Sequence, residues 1–205
     1  MSLTITSSSV DPWQQVLQNT VREGVIADVS NCYQSILHID VALGDTTFHT
    51  GSRIIVQCSS NLADDNYWTE RQDFVTLVGT ANVLGISNNP LNPGDVSIQL
   101  SNTTGFAAGA GNVSTILCLV VDSLDVTTSE LVRVQSYILN TSLSIIDGVK
   151  YTHNSASLIS NTAATFAVEL PLGTLRARVL YDNTYTTAGA SIYTRCRVTR
   201  VTSLS

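Results

Sequence analysis

Much of the chain alternates apolar and polar residues with a period of two, the pattern of strands that bury one face. Tyr33, Ser35, Leu37, Ile39, Val41 and Leu43 alternate with Gln34, His38 and Asp40, and Ile54, Val56 and Cys58 with Arg53 and Gln57. Near the C-terminus, Leu175, Ala177, Val179 and Tyr181 oppose Arg176 and Arg178. Ile192, Thr194, Cys196 and Val198 likewise oppose Tyr193, Arg195 and Arg197. The run Asp73–Gly79 is apolar on both faces, which predicts a more deeply buried strand. One segment breaks the pattern. Asp11–Glu23 begins with Asp11 as a helix cap and Pro12 at a first helical position, so a short helix is expected there. Ser2–Ser9, ahead of it, reads as an arm reaching onto a neighbour.

The middle of the chain has a different texture. Pro90 and Pro93 interrupt the turn cluster Asn88–Asp95, after which Val96–Leu100, Ile116–Val121, Leu131–Leu139 and Leu143–Ile146 read as strands. A second soft boundary falls at Ser155–Asn161. Short strands between frequent turns predict an all-β protein whose centre is a jelly-roll-like β-sandwich. The expected organisation is an N-terminal arm and short helix over 1–24, a sandwich from 25–87 and 161–205, and an inserted small β-barrel-like unit over 88–160. Neither flank alone supplies enough strands for two sheets.

Composition sharpens this. The 205 residues include 24 Ser, 25 Thr, 22 Val and 14 Ile, while only 13% are charged. β-Branched side chains favour extended chain. Nine Arg stand against one Lys, and twelve Asp against four Glu, so exposed helical faces are scarce. A net charge of −6 argues against a general nucleic-acid binder, which needs a basic stripe. No apolar run has the length of a membrane span, and the first residues carry neither a basic region nor a continuous apolar core, so no leader is expected.

Candidate chemistry is sparse. Cys32, Cys58, Cys118 and Cys196 are dispersed without a CxxC, and the last three sit in strands as small apolar residues. His38, His49 and His153 have no accompanying G-x-S-x-G, with His49 expected in a loop. The four Glu share no motif, and the Gly105–Gly111 turn lacks the Lys and helix of a phosphate loop. Asp64 and Asp65 form the densest acidic loop, but their spacing does not match a calcium loop. That loop ends in Tyr67 and Trp68, which as an exposed platform would suit a carbohydrate-binding module. Trp13, Tyr67 and Trp68, large and beside turns, are the expected interface anchors. Arg195 and Arg197 share a strand face suited to an acidic partner. No catalytic, cofactor or metal site is expected, and the chain reads as non-enzymatic.

Val96–Gly109, Glu130–Ser136 and Ser142–His153 together resemble a module of tailed-bacteriophage virion proteins. In that pattern a strand leads into TTGF-x-x-G, an E-hydrophobic-x-R-V strand follows, and a turn ends in Y-x-H. Gly105, Phe106, Gly109, Glu130, Arg133 and His153 fall on its positions. Ala110–Ser114 depart from it, with small residues where Asp or Glu is expected. The resemblance implies a structural virion protein, foremost a capsid decoration or cement protein binding major capsid subunits, with a neck, tail or fibre component as the alternative. It further implies a homo-oligomer, a trimer before a dimer, located in the virion; the charge and the apolar-run lengths leave neither nucleic acid nor membrane as an expected partner.

Overall fold

The computed structural model describes residues 3–63, 66–106, 116–184 and 191–204. Among them lie fifteen strands and one 3-10 turn, Val126–Thr128, with no α-helix. One antiparallel sheet has the order β1 (Leu3–Val16), β15 (Ile192–Leu204), β4 (Gln34–Leu43), β13 (Ala163–Glu169). A second runs β2 (Val21–Glu23), β14 (Arg176–Asp182), β5 (His49–Ser59), β6 (Thr69–Gly79), with β3 (Ala27–Asp28) also on β14. The third takes the order β7 (Val83–Gly85), β12 (Leu158–Ser160), β9 (Ile116–Val121), β10 (Glu130–Ile138), β11 (Ser142–Ile145), β8 (Ser97–Gln99).

The alternation read from the sequence places the core. Leu37, Ile39, Val41 and Leu43 of β4, with Ile192, Cys196 and Val198 of β15, face Ile54, Val56 and Cys58 of β5 and Ala177, Val179 and Tyr181 of β14. These two inner faces make the sandwich, with polar residues of the same strands turned outward. The third sheet encloses its own core of Phe106, Cys118, Val120, Val132, Leu143 and Ile159. Its edges are drawn together after β7, where the Ser87 N–H donates to the Gln99 carbonyl (2.8 Å) and the Gln99 N–H to Asn88 Oδ1 (2.6 Å). The chain enters this unit at Val83 and leaves at Ser160, which are register partners. The flanking Asn161 N–H donates to the Asn82 carbonyl, and the Asn82 N–H to Asn161 Oδ1. A third cluster of Trp13, Ala42, Leu119, Val121 and Tyr193 packs the unit onto the outer face of the first sheet.

Three expectations are corrected. The helix over Asp11–Glu23 is absent: Asp11–Val16 belong to β1, and Val21–Glu23 form β2. Asp11 does not cap. Its buried carboxylate accepts from both terminal nitrogens of Arg22, while Pro12 lies where the β1–β15 register shifts and no ladder N–H is needed. The arm is likewise a strand, since Leu3–Ser9 pair with Arg197–Leu204. Asp73–Gly79 is not deeply buried but forms an edge strand. Phe74 turns inward onto Phe166 (centroids 4.6 Å apart), whereas Val75 and Val78 are each 64% exposed. Leu77 has φ +60°, which breaks the alternation and leaves both valines on the side of Gly51. Gly51 (φ +110°) has no room for a Cβ beneath the Val75 methyls. Arg71 is an extra residue in the β5–β6 register, so the edge is doubly irregular, a common guard against strand addition.

Candidate functional site

The candidate interface residues fall on opposite sides of the sandwich, and those of the resemblance lie in the inserted unit. On the outer face of the first sheet, cross-strand partners form rows: Tyr193–Ala42–Ala163, Arg195–Asp40–Thr165, Arg197–His38–Ala167 and Thr199–Ile36–Glu169. The first row is covered by the inserted unit. In the second, the fully buried Asp40 carboxylate gathers its neighbours. Arg195 donates Nε (2.9 Å) and Nη2 (2.7 Å) to Oδ2, and Thr165 donates its hydroxyl to Oδ1 (2.7 Å). Arg197 reaches down from the next row with Nε and Nη2 at 3.3 Å. Two guanidiniums thus share one carboxylate.

Arg195 also lies over the Trp13 ring, 4.7 Å from its centroid. The structure therefore joins Trp13 to Arg195 and Arg197, but not as an exposed anchor: Trp13 is 1% exposed and packs between the sheet and the inserted unit. The reason is its position on β1, where the side chain lies in the seam beside Leu119 and Val121.

Tyr67 and Trp68 are on the outer face of the second sheet. Tyr67 is exposed, beside an open groove lined by Ser60, Asn61, Leu62 and Leu175. Trp68 is half-buried, with the guanidiniums of Arg178 (4.4 Å) and Arg176 (5.2 Å) over its ring. Arg178 is itself held by Gln57 and Glu23. The indole face is occupied by cations, which leaves Tyr67 as the open aromatic of the pair. Asp64 and Asp65 lie outside the described residues.

The inserted unit brings together residues that are distant in sequence. Glu130 Oε1 accepts from the Lys150 and Tyr151 N–H groups and faces His153 Nε2 at 2.9 Å. Asp122 Oδ2 faces His153 Nδ1 at 3.3 Å. Asp122 in turn accepts from the Leu124 and Asp125 N–H groups, and its own N–H is taken by Ser129. All four side chains are buried. Phe106 is in the unit's core, Gly105 turns with φ +83°, and Arg133 pairs with Asp147 at the surface (2.5 Å). Gly109 and Ala110–Ser114 lie outside the described residues.

His49 is buried at the start of β5 rather than in a loop. Its Nδ1 accepts the Gly51 N–H (3.1 Å), so Nε2 carries the proton and donates to Asn183 Oδ1 (3.1 Å). Ser52 Oγ is 3.4 Å from that Nε2 and donates to the same Asn183 oxygen. A nitrogen already bearing its proton does not take one from serine, so the pair is not a nucleophile and its base. Burial, the largest cause, lowers the His49 pKa. It pushes the Cys118 thiol up to about 12, and Cys196 to the same value with Asp11 and Asp40 adding to the rise. These thiols stay protonated and behave as apolar packing.

No protein-family model matches the chain, and no curated protein sequence does. Among solved structures it is similar to the K1 cleaved adhesin domain of Lys-gingipain from Porphyromonas gingivalis W83, with TM-score 0.39 and 12% identity, covering 98% of this chain and 99% of that one. It is also similar to VP17, a capsid protein of bacteriophage P23-77, with TM-score 0.24 and 10% identity over 98% and 97% of the two chains. A third likeness is to infectious bursal disease virus, Gx strain, with TM-score 0.25 and 5% identity over 99% of this chain and 43% of that one. Capsid proteins are thus among its weak structural likenesses. With each of these TM-scores below 0.5, none carries an argument about function.

Sequence reasoning missed three organising residues: Asp40, Asp122 and Asn183. Asp40 had a visible signal, an acid on the polar side of a strand facing alternating arginines. Asp122 and Asn183 had none, because each lies just past the end of its strand, outside any alternating run, with its His partner 31 or 134 positions away in the chain.

Proposed function

We propose that this chain is a structural component of a tailed-phage virion, and within it a non-catalytic capsid decoration or cement protein that clamps neighbouring major capsid subunits. The observation that carries this reading is the meeting of Glu130 and His153. Both are positions of the resemblance to phage virion modules, and they join Asp122 in a buried, hydrogen-bonded network. Glu130 and His153 help to hold a rigid β-unit, which is what an assembly module requires of them. A Ser/Thr-rich, Lys-poor chain supports the same reading, since short side chains lose little entropy when covered. A homo-oligomer, a trimer before a dimer, belongs to the proposal, because symmetry multiplies weak contacts with a shell.

The test is quantitative mass spectrometry of purified virions whose genome encodes the chain. Hundreds of copies per particle are expected. A dozen or fewer would assign it to the neck, tail or fibre, and absence from the particle would refute the virion reading. A glycan array tests the sugar-binding alternative, which predicts binding that Tyr67→Ala abolishes.

A further inference from the structure

We propose that the open rows of the first sheet's outer face form a docking surface for an extended, carboxylate-bearing segment of a partner protein, with Arg197 as its principal contact and Arg195 beside it. Under the virion reading, on which this rests, that segment belongs to the shell. Arg195 and Arg197 are two residues apart on β15, so they project from the same face roughly 7 Å apart along the strand. Acidic residues alternating along a partner strand have the same repeat. Asp40 holds both arginines by Nε and Nη2, and among the described residues neither Nη1 has a partner. The two rows therefore carry a positive excess with donors left over, in a chain whose net charge is −6.

The other charged groups leave that excess standing. Glu169 is on the same face, but two strands and one row from Arg197, roughly 12 Å away. It is also engaged by Gln34 (2.6 Å). The titratable neighbour His38 is bonded to Thr199 (3.0 Å). Around the arginines the face carries small or hydroxyl-bearing side chains, Thr165, Ala167 and Thr199, which admit the close approach of another backbone. An excess of one charge suits a few discrete carboxylates and does not suit a polyanion such as DNA, which the chain's net charge repels. Asp40 holds the two guanidiniums in place, so a partner loses little side-chain entropy in meeting them.

The experiment measures anisotropy of a fluorescein-labelled (Glu-Thr)4 peptide titrated with the whole protein at low ionic strength. Saturable binding is expected, with (Gln-Thr)4 and a short DNA duplex unbound. Arg197→Gln should weaken it at least five-fold, and Arg197→Lys, which keeps charge but loses the fork, about two-fold or more. Arg71→Gln, which removes an exposed arginine from the opposite side of the sandwich, should leave binding unchanged. Equal binding by wild type and Arg197→Gln overturns the proposal, as does an equal loss in Arg71→Gln or equal affinity for DNA. Should Arg197→Gln fail to fold, Arg197→Lys decides by the same comparison. If the protein self-associates in sedimentation and the Arg197 variants dissociate it, the occupant is a second copy and the partner assignment falls. Virions that retain Arg197→Gln protein at full copy number would sink this surface while leaving the virion reading intact.

Discussion

Replacing Trp13 by alanine separates a residue that seals two cores from one that anchors a partner. The side chain is 1% exposed and packed against Ala42, Leu119, Val121 and Tyr193. An indole buries about 150–250 Å². At about 25 cal/mol per Å² this corresponds to about 4–6 kcal/mol. Two further contributions nearly cancel. Losing the Arg195 guanidinium over the ring costs about 0.5–2 kcal/mol. Removing the indole N–H, buried without a partner among the described residues, returns about 1–3 kcal/mol. Alanine keeps its Cβ, and areas taken against an extended chain are upper bounds, so the expected loss is about 3–5 kcal/mol. In urea, with a slope of about 2 kcal/mol/M, that is a midpoint shift of about 1.5–2.5 M. Trp13→Phe keeps most of the area and drops the orphan donor, so it should cost less than half as much. A shift under about 0.5 M for Trp13→Ala, accompanied by a change in sedimentation, would show that the indole belongs to an intermolecular contact and would refute the placement.

Further outcomes follow from the buried polar groups. Glu130→Ala leaves two backbone N–H groups and His153 without their acceptor and should lower stability by about 3–5 kcal/mol in denaturant titration. His49 is held neutral in the fold with its pKa lowered. The unfolded chain therefore takes up a proton below about pH 6.5 that the folded chain refuses. Stability should fall as pH drops from about 6.5 toward the depressed folded value, and His49→Gln should flatten that slope when urea midpoints are compared across pH 5–7.5. Native-state alkylation at pH 8 should label the half-buried Cys32 first and spare Cys118 and Cys196, whose thiols burial pushes up to about 12.

Strand positions were legible because alternation is a local property. Ile54, Val56 and Cys58 face inward as their spacing requires, and so do Ala177, Val179 and Tyr181. The errors arose where a non-local contact outweighed a local preference. Asp11–Pro12 has the look of a helix start, but Arg22 claims the carboxylate and Trp13 is worth more in the seam than on a helix surface. Asp73–Gly79 is apolar enough to be central, yet among the described residues nothing pairs beyond it, and one left-handed residue, Leu77, turns its second valine outward. Of the candidate surface residues, Arg195 and Arg197 could be placed on a common face from the period of two. That Asp40 would gather both required knowing that β4 is the neighbour of β15.

The way the third sheet is stitched in has a consequence for how such a chain could arise. Val83 and Ser160 are paired neighbours, and Asn82 and Asn161 clasp one another just outside them. Entry and exit thus coincide, so the unit could be gained or lost as a cassette at a single splice point without reordering any strand of the sandwich. One recombination event could deliver it to an ancestral two-sheet protein already complete in its own core. The mark of accommodation would be confined to the seam, where Trp13, Ala42 and Tyr193 on the host side meet Leu119 and Val121 on the guest. A lineage that shed the cassette would face selection there first, to replace an uncovered indole with something water tolerates.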